Sequence, residues 1–245
     1  MSNLLMRTTG REALRPSYLV PGNNGLKGEV EKLRRDVTQV MSAMAPLTRY
    51  ELTVGAAAPD ADGIKTSIAS STSAADYSGA ALNGAKGAGM MLPPRNITAT
   101  TGGVTPAHVP ATATVYGFDI WGKPISETIT LAQTATIATG TKCFRNVTRI
   151  TMPAGQGTAG TLTFGFGETL GFVVPPKDYD GSVRTISEFV DGAEPLTPGV
   201  LFNVDDRAPY GGYEPDTAAD GSALYSLIYE FDPGLVPTGT LPAIE

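Results

Sequence analysis

A chain of 245 residues with one histidine and one cysteine has few routes to covalent chemistry. His108, between Pro106 and Pro110, is the residue that any Ser-His-Asp triad or histidine-based metal site would have to use. Its proline-bounded setting predicts an exposed loop instead. Cys143 stands alone, so no intrachain disulfide can form. It sits beside Phe144 in a strand-like run with nothing to activate it, which predicts a buried structural thiol. Asp60-Ala-Asp-Gly63 has the opening of a calcium loop but lacks its third acidic position and closing glutamate. Asp205 with Asp206, and Asp178 with Asp180, could bind calcium weakly between subunits, although surface turns account for them better. Gly165-Phe-Gly-Glu-Thr-Leu-Gly171 has one residue too many for a dinucleotide fingerprint, and Thr139-Gly-Thr-Lys142 lacks the upstream glycine of a phosphate loop. Asn96-Ile-Thr98 and Asn146-Val-Thr148 match glycosylation acceptors in form only. No spacing singles out a pair of glycosidase carboxylates among the 24 acids. The expectation is a protein that is not an enzyme, with no catalytic residue, metal or cofactor.

The elements that would carry these residues are strand-like. The chain holds 29 Gly and 19 Pro and is only 17% charged, a composition of strands joined by tight connections. Its length can bury a sizeable core, as one or two domains. The net charge is −6. Nucleic-acid binding draws on Lys and Arg displacing counterions, so direct nucleic-acid binding is not expected. The densest basic cluster, Lys27, Lys32, Arg34 and Arg35, is interleaved with Glu29, Glu31 and Asp36 and reads as a solvated helix face. No segment reads as a signal peptide, and no run approaches the roughly 18 apolar residues of a membrane span. These features predict a chain made in a cytoplasm, with no membrane partner.

Residues 1–24 read as an extended arm. Arg7, Arg11 and Arg15 recur every fourth residue before Pro16 and the Pro21-Gly-Asn-Asn-Gly25 turn break the chain. Residues 25–46 hold the one strong helical pattern. Leu26, Val30, Leu33, Val37, Val40 and Met44 follow spacings of 4, 3, 4, 3 and 4, a heptad seam. Glu29 then falls at a g position and Arg34 at the following e position, where interchain ion pairs form between parallel helices. So short a seam is marginal alone. It predicts either a helix packed on its own domain or a self-associating bundle, a homotrimer.

Residues 47–95 are rich in Ala, Gly and Ser and predict a long loop with short strands near Leu52 and from Ile64 to Ser70. Residues 96–174 read as a β-sandwich or barrel. Ala113–Ile120 and Ile125–Leu131 form a predicted hairpin around Trp121-Gly-Lys-Pro124, with Gly122 free to take positive φ. Val147–Met152 is a third strand, and Leu162, Phe164 and Phe166 alternate on a fourth. Residues 175–231 form a second β-rich part, with short strands near Val183–Phe189 and Gly199–Val204, a loop over Asp205–Asp216, and a strand at Leu224–Phe231. On that last strand Tyr225, Leu227, Tyr229 and Phe231 share one face. Residues 232–245 read as an extended tail.

Residues 96–172 resemble the all-β module of structural proteins in tailed-bacteriophage particles. The resemblance rests on Asp119-Ile-Trp-Gly-Lys123 at a turn, Ser126-Glu-Thr-Ile-Thr-Leu131 on a strand, and Thr139-Gly-Thr-Lys-Cys-Phe144 as a loop. Val147-Thr-Arg-Ile-Thr151 and the Gly165–Gly171 turn complete it. The chain departs from that pattern at Phe166, between two glycines where a small residue is usual, and at Cys143. The resemblance implies a capsid decoration (cement) protein on the outer capsid of a virion. The implied partner is the major capsid protein, contacted in part by Arg7, Arg11 and Arg15 of the arm. A tail or neck component is the alternative. A carbohydrate-binding module using Trp121, Tyr116 and Tyr213 is a further one.

Overall fold

Thr, Val and Ile lose side-chain freedom in helices and pack well on a pleated surface. Between Thr48 and Phe231 such runs form strands. The computed structural model describes residues 32–33, 48–174, 176, 178–179, 182–183, 187–195, 197–202 and 211–231. The chain divides into two compact units, Met1–Leu47 and Thr48–Glu245. In the first, Lys32 and Leu33 are helical and Leu33 is 64% exposed. The other expected seam positions (Leu26, Val30, Val37, Val40, Met44), the Glu29–Arg34 pair and the arm residues Arg7, Arg11 and Arg15 lie outside the described residues.

The second unit is mainly β. In chain order its strands are β1 (Thr48–Gly55), β2 (Asp60–Ala69), β3 (Ala75–Ser78), β4 (Arg95–Gly103) and β5 (Thr112–Phe118). Next come β6 (Pro124–Thr130), β7 (Ile137–Phe144), β8 (Asn146–Met152), β9 (Gly160–Gly171) and β10 (Asp178–Tyr179). The last are β11 (Ser182–Val183), β12 (Ser187–Val190), β13 (Val200–Phe202), β14 (Gly212–Glu214) and β15 (Leu224–Phe231). One sheet has the order β3-β8-β5-β6, and a second the order β13-β14-β9-β4-β7, with β2 also on β9. A third has the order β1-β15-β12, and β10 and β11 form a small ribbon.

The first two sheets make a sandwich. Alternation places Ala113 and Val115 of β5, Ile129 of β6 and Val147, Ile150 and Met152 of β8 on the inner face. They meet Ile64 and Ile68 of β2, Ile97 and Ala99 of β4, and Leu162, Phe164 and Phe166 of β9. A second core lies under the three-stranded sheet. Tyr225, Leu227 and Tyr229 of β15 are fully buried there with Leu52 and Val54 of β1 and Phe172–Val174. The phenol of Tyr229 donates to the Val174 carbonyl at 2.8 Å, and its ring stands edge-on to Phe172 at 5.1 Å.

β9 serves both cores. Along one edge it pairs with β2 from Thr161 to Phe166 and then with β14 at Leu170 and Gly171; its other edge carries β4. Two side chains add ties between the cores. Trp121 donates its indole N–H to the Val173 carbonyl at 3.2 Å. Arg95, only 3% exposed, donates from Nε to the Gly167 carbonyl at 2.9 Å and from Nη1 to the Ala57 carbonyl at 2.8 Å, with its Nη2 also on Gly167. The Phe166 ring lies 5.3 Å from its guanidinium carbon. Phe166, where the resembled pattern has a small residue, is thus the floor under a buried cation.

Three expectations are corrected. Thr139–Phe144 is not a loop but most of β7, which β4 pairs and whose inward side reaches the core through Phe144. The loop expected over Asp205–Asp216 carries β14, short but tied into the sandwich sheet through β9. The 47–95 segment holds the ten-residue β2, longer than foreseen, because Asp60 also pairs with β9, at Phe166, beyond a register shift that precedes Lys65.

Candidate interaction surface

The outward face of the β3-β8-β5-β6 sheet is set by the same alternation that fills the core. Thr112, Thr114 and Tyr116 of β5 stand opposite Thr130, Thr128 and Ser126 of β6. On the other flank Thr114 and Tyr116 face Thr151 and Arg149 of β8, which in turn face Asp76 and Ser78 of β3. Thr148 bulges between Arg149 and Val147, so Arg149 keeps its outward direction while Val147 points in. Short hydroxyl side chains therefore cover the face, with the Thr114 and Thr128 hydroxyls hydrogen-bonded at 2.9 Å.

At its centre Arg149 forms a fork with Asp76, Nε to Oδ2 at 2.9 Å and Nη2 to Oδ2 at 2.5 Å. Its guanidinium carbon is 5.5 Å from the Tyr116 ring. Hydrogen bonding from Arg149 lowers the Asp76 carboxyl below its ordinary range, and the same pairing raises Arg149. Both side chains remain about half exposed. No local pattern signals this cluster, because Asp76 and Arg149 are 73 residues apart. The T-x-T runs at Thr112–Thr114 and Thr128–Thr130 were its only trace.

The residues that carry the phage resemblance are used internally. Asp119, 1% exposed, accepts the N–H groups of Trp121 at 2.9 Å and Lys123 at 2.8 Å, closing the β5–β6 turn in which Gly122 adopts φ 77°. Burial raises its carboxyl above the ordinary value. Glu127 reaches across to β7, where Oε1 accepts the Thr141 N–H at 2.7 Å and Oε2 the Lys142 N–H at 3.2 Å. A Cβ on Gly140 would meet Glu127 Oε2 at 2.6 Å, so the glycine of Thr139-Gly-Thr makes room for the carboxylate.

The residues singled out for chemistry are dispersed. His108 is not an exposed loop histidine. It ends a short 3-10 turn, is half-buried, and its Nδ1 accepts the Ala159 N–H at 3.2 Å because Gly157 lets the ring pack closely. Cys143 is fully buried, and burial pushes its thiol far up. Asn96 is 1% exposed and bridges strands, donating to the Gly140 carbonyl at 3.2 Å and accepting the Thr169 N–H at 3.2 Å. Asp60 and Asp62 hydrogen-bond each other, which raises the Asp62 carboxyl. Among the described residues no cluster of His, Cys, Asp and Glu could hold a metal. The side chains of Asp178, Asp180, Asp205 and Asp206 lie outside the described residues. The three aromatics considered for sugar stacking do not share a surface role. Tyr213 is 2% exposed and hydrogen-bonded to Glu188, and Trp121 is packed against the second core. Only Tyr116 faces outward.

A small cleft lies where β2 and β3 meet the end of β8, lined by Ser70, Ser71, Tyr77, Val109, Met152 and Leu162; it has room for about one water molecule. No helix among the described residues is long and apolar enough to cross a membrane. No family model, curated protein or solved structure matches the chain.

Proposed function

We propose that this protein is a non-enzymatic structural component of a tailed-bacteriophage particle, and that it decorates the capsid by binding the lattice of the major capsid protein. The observation that carries the reading is the outward Thr/Ser face around Tyr116, Arg149 and Asp76. Short side chains lose little rotamer freedom on docking, and hydroxyls donate or accept as a partner requires. A pre-formed Arg–Asp–Tyr cluster adds a rigid polar anchor of the kind that dominates protein interfaces. The motif residues Asp119, Gly122, Glu127 and Gly140 support the same reading, since in this chain they close the turn and edge that hold the platform.

In this role the unit Met1–Leu47, with its Arg7, Arg11 and Arg15 arm and its heptad pattern, adds a second attachment or a three-fold self-association. Two linked weak contacts bind far more tightly than either alone. The test is co-sedimentation of the purified chain with capsids that lack decoration, followed by heating of the decorated shells. Saturable binding that raises the disruption temperature is expected. No binding to shells overturns the proposal, and binding to isolated tails in its place selects the tail or neck role.

A further inference from the structure

An edge strand offers a row of unpaired backbone groups to any extended chain, and folded proteins defend such edges by shortness, bulges, charge or cover. The described edges here are defended, with one exception. The facing edges of β6 and β7 are bridged by Glu127. The outer side of β2 is covered by the loop 83–87, where Gly84 N–H donates to the Ile64 carbonyl at 3.0 Å and Lys86 N–H to the Gly63 carbonyl at 2.7 Å, and its pairing with β9 is broken by register shifts. β3, β12 and β13 are four, four and three residues long.

β1 is the exception. It has eight residues, Thr48–Gly55, with no proline and with Arg49 and Glu51 as its charged residues, and it pairs with β15 in unbroken register. Among the described residues no strand pairs with its other edge. Glu51, Thr53 and Gly55 are exposed, and a Cβ built on Gly55 meets nothing within 4 Å.

We infer that the edge of β1 that no described strand pairs joins antiparallel to β1 of a second copy of this chain, about a two-fold axis at Leu52. The strand is self-complementary in that register. Tyr50 stands opposite Val54 and Leu52 opposite Leu52, so the apolar row that faces the second core in each copy stays on one side of a continuous six-stranded sheet. On the other side Glu51 stands opposite Thr53 of the second copy. A register centred on Glu51 would set two carboxylates directly against each other, which is unfavourable. One centred on Tyr50 would pair only Thr48 to Leu52, against Arg49 to Gly55 for the chosen one. The inference is independent of the capsid proposal.

The test uses register-specific charge on the full chain. Thr53 is exposed, so Thr53→Glu and Thr53→Lys both leave the fold intact, as near-ultraviolet circular dichroism will verify. In sedimentation equilibrium Thr53→Glu, which places a carboxylate beside Glu51 of the second copy twice per dimer, is expected to halve the mass of the wild-type assembly at equal concentration. Thr53→Lys, which meets the same carboxylate with opposite charge, is expected to keep it. A wild-type chain at its monomer mass of 25.4 kDa overturns the inference. So does an assembly of any size that Thr53→Glu leaves unchanged, or one that both variants break equally.

Discussion

The Glu127 carboxylate accepts the backbone N–H of Thr141 at 2.7 Å, and Oε1 also accepts the Thr141 hydroxyl at 3.0 Å. One side chain from the edge of one sheet thereby takes the place of a ladder partner for the edge of the other. Lys142 completes the exchange by donating from Nζ to the Ser126 carbonyl at 2.9 Å.

Replacing Glu127 with Ala removes a charge-assisted acceptor shared by three donors. A loss of about 1.5–3 kcal/mol in unfolding free energy is expected, read from urea denaturation. Glu127→Gln keeps one acceptor oxygen and should lose less. Equal stability of Ala and wild type would remove the latch from the account of the fold.

Arg95 is a buried cation held by carbonyls and an aromatic ring, and burial depresses it to about 10. Arg95→Met keeps much of the volume but leaves the Gly167 and Ala57 carbonyls without these donors. About 1–3 kcal/mol per buried acceptor is at stake, so calorimetry should show a lower melting temperature. An unchanged melting temperature would mean that the tie between the cores is dispensable.

Burial raises the phenols of Tyr229, Tyr213 and Tyr225 above the ordinary value of 10.0. The folded chain therefore holds these protons more tightly than the unfolded one. The stability this represents is present in full below pH 10 and is lost as pH climbs from there through the raised folded-state values. Absorbance titration of native protein should show these tyrosines ionising late and together with alkaline unfolding. Complete titration of all tyrosines near pH 10 with the fold intact would refute the assignment.

Cys143 is fully buried with its thiol held protonated by desolvation. Only thiolate reacts with a disulfide reagent. The native protein is expected to react at least a hundredfold more slowly than the urea-unfolded chain. Comparable rates would place the thiol at the surface.

Strands whose side chains alternate cleanly were legible in the sequence. The β5–β6 hairpin, β8 and the fully buried row Tyr225, Leu227, Tyr229 of β15 follow the two-residue period, and Gly122 marks the turn. β4 was not legible. Its sequence Arg95-Asn-Ile-Thr-Ala-Thr-Thr-Gly-Gly103 is polar, yet it is an interior strand between β9 and β7 with Arg95, Asn96, Thr98 and Thr101 buried. Those polar groups are carried by partners far along the chain, such as the Gly167 carbonyl for Arg95 and the Gly140 carbonyl for Asn96. The candidate surface was half legible. The two-residue period of the hairpin separates Thr112, Thr114, Ser126, Thr128 and Thr130 from the apolar side, but Asp76 joins Arg149 only through the β3–β8 register, which no local pattern encodes. Likewise His108 looked exposed because its partner, the Ala159 N–H, is 51 residues away.

β9 has a mechanical consequence. One covalent strand runs from the sandwich core, through the Arg95 tie, to the edge of the second core at Leu170. Pulling the cores apart along it loads its ladders with β2, β4 and β14 in shear, so the hydrogen bonds share the force instead of yielding one at a time. Within the described strands of this unit, β9 therefore couples the two cores so that a pull on one is carried to the other through its ladders.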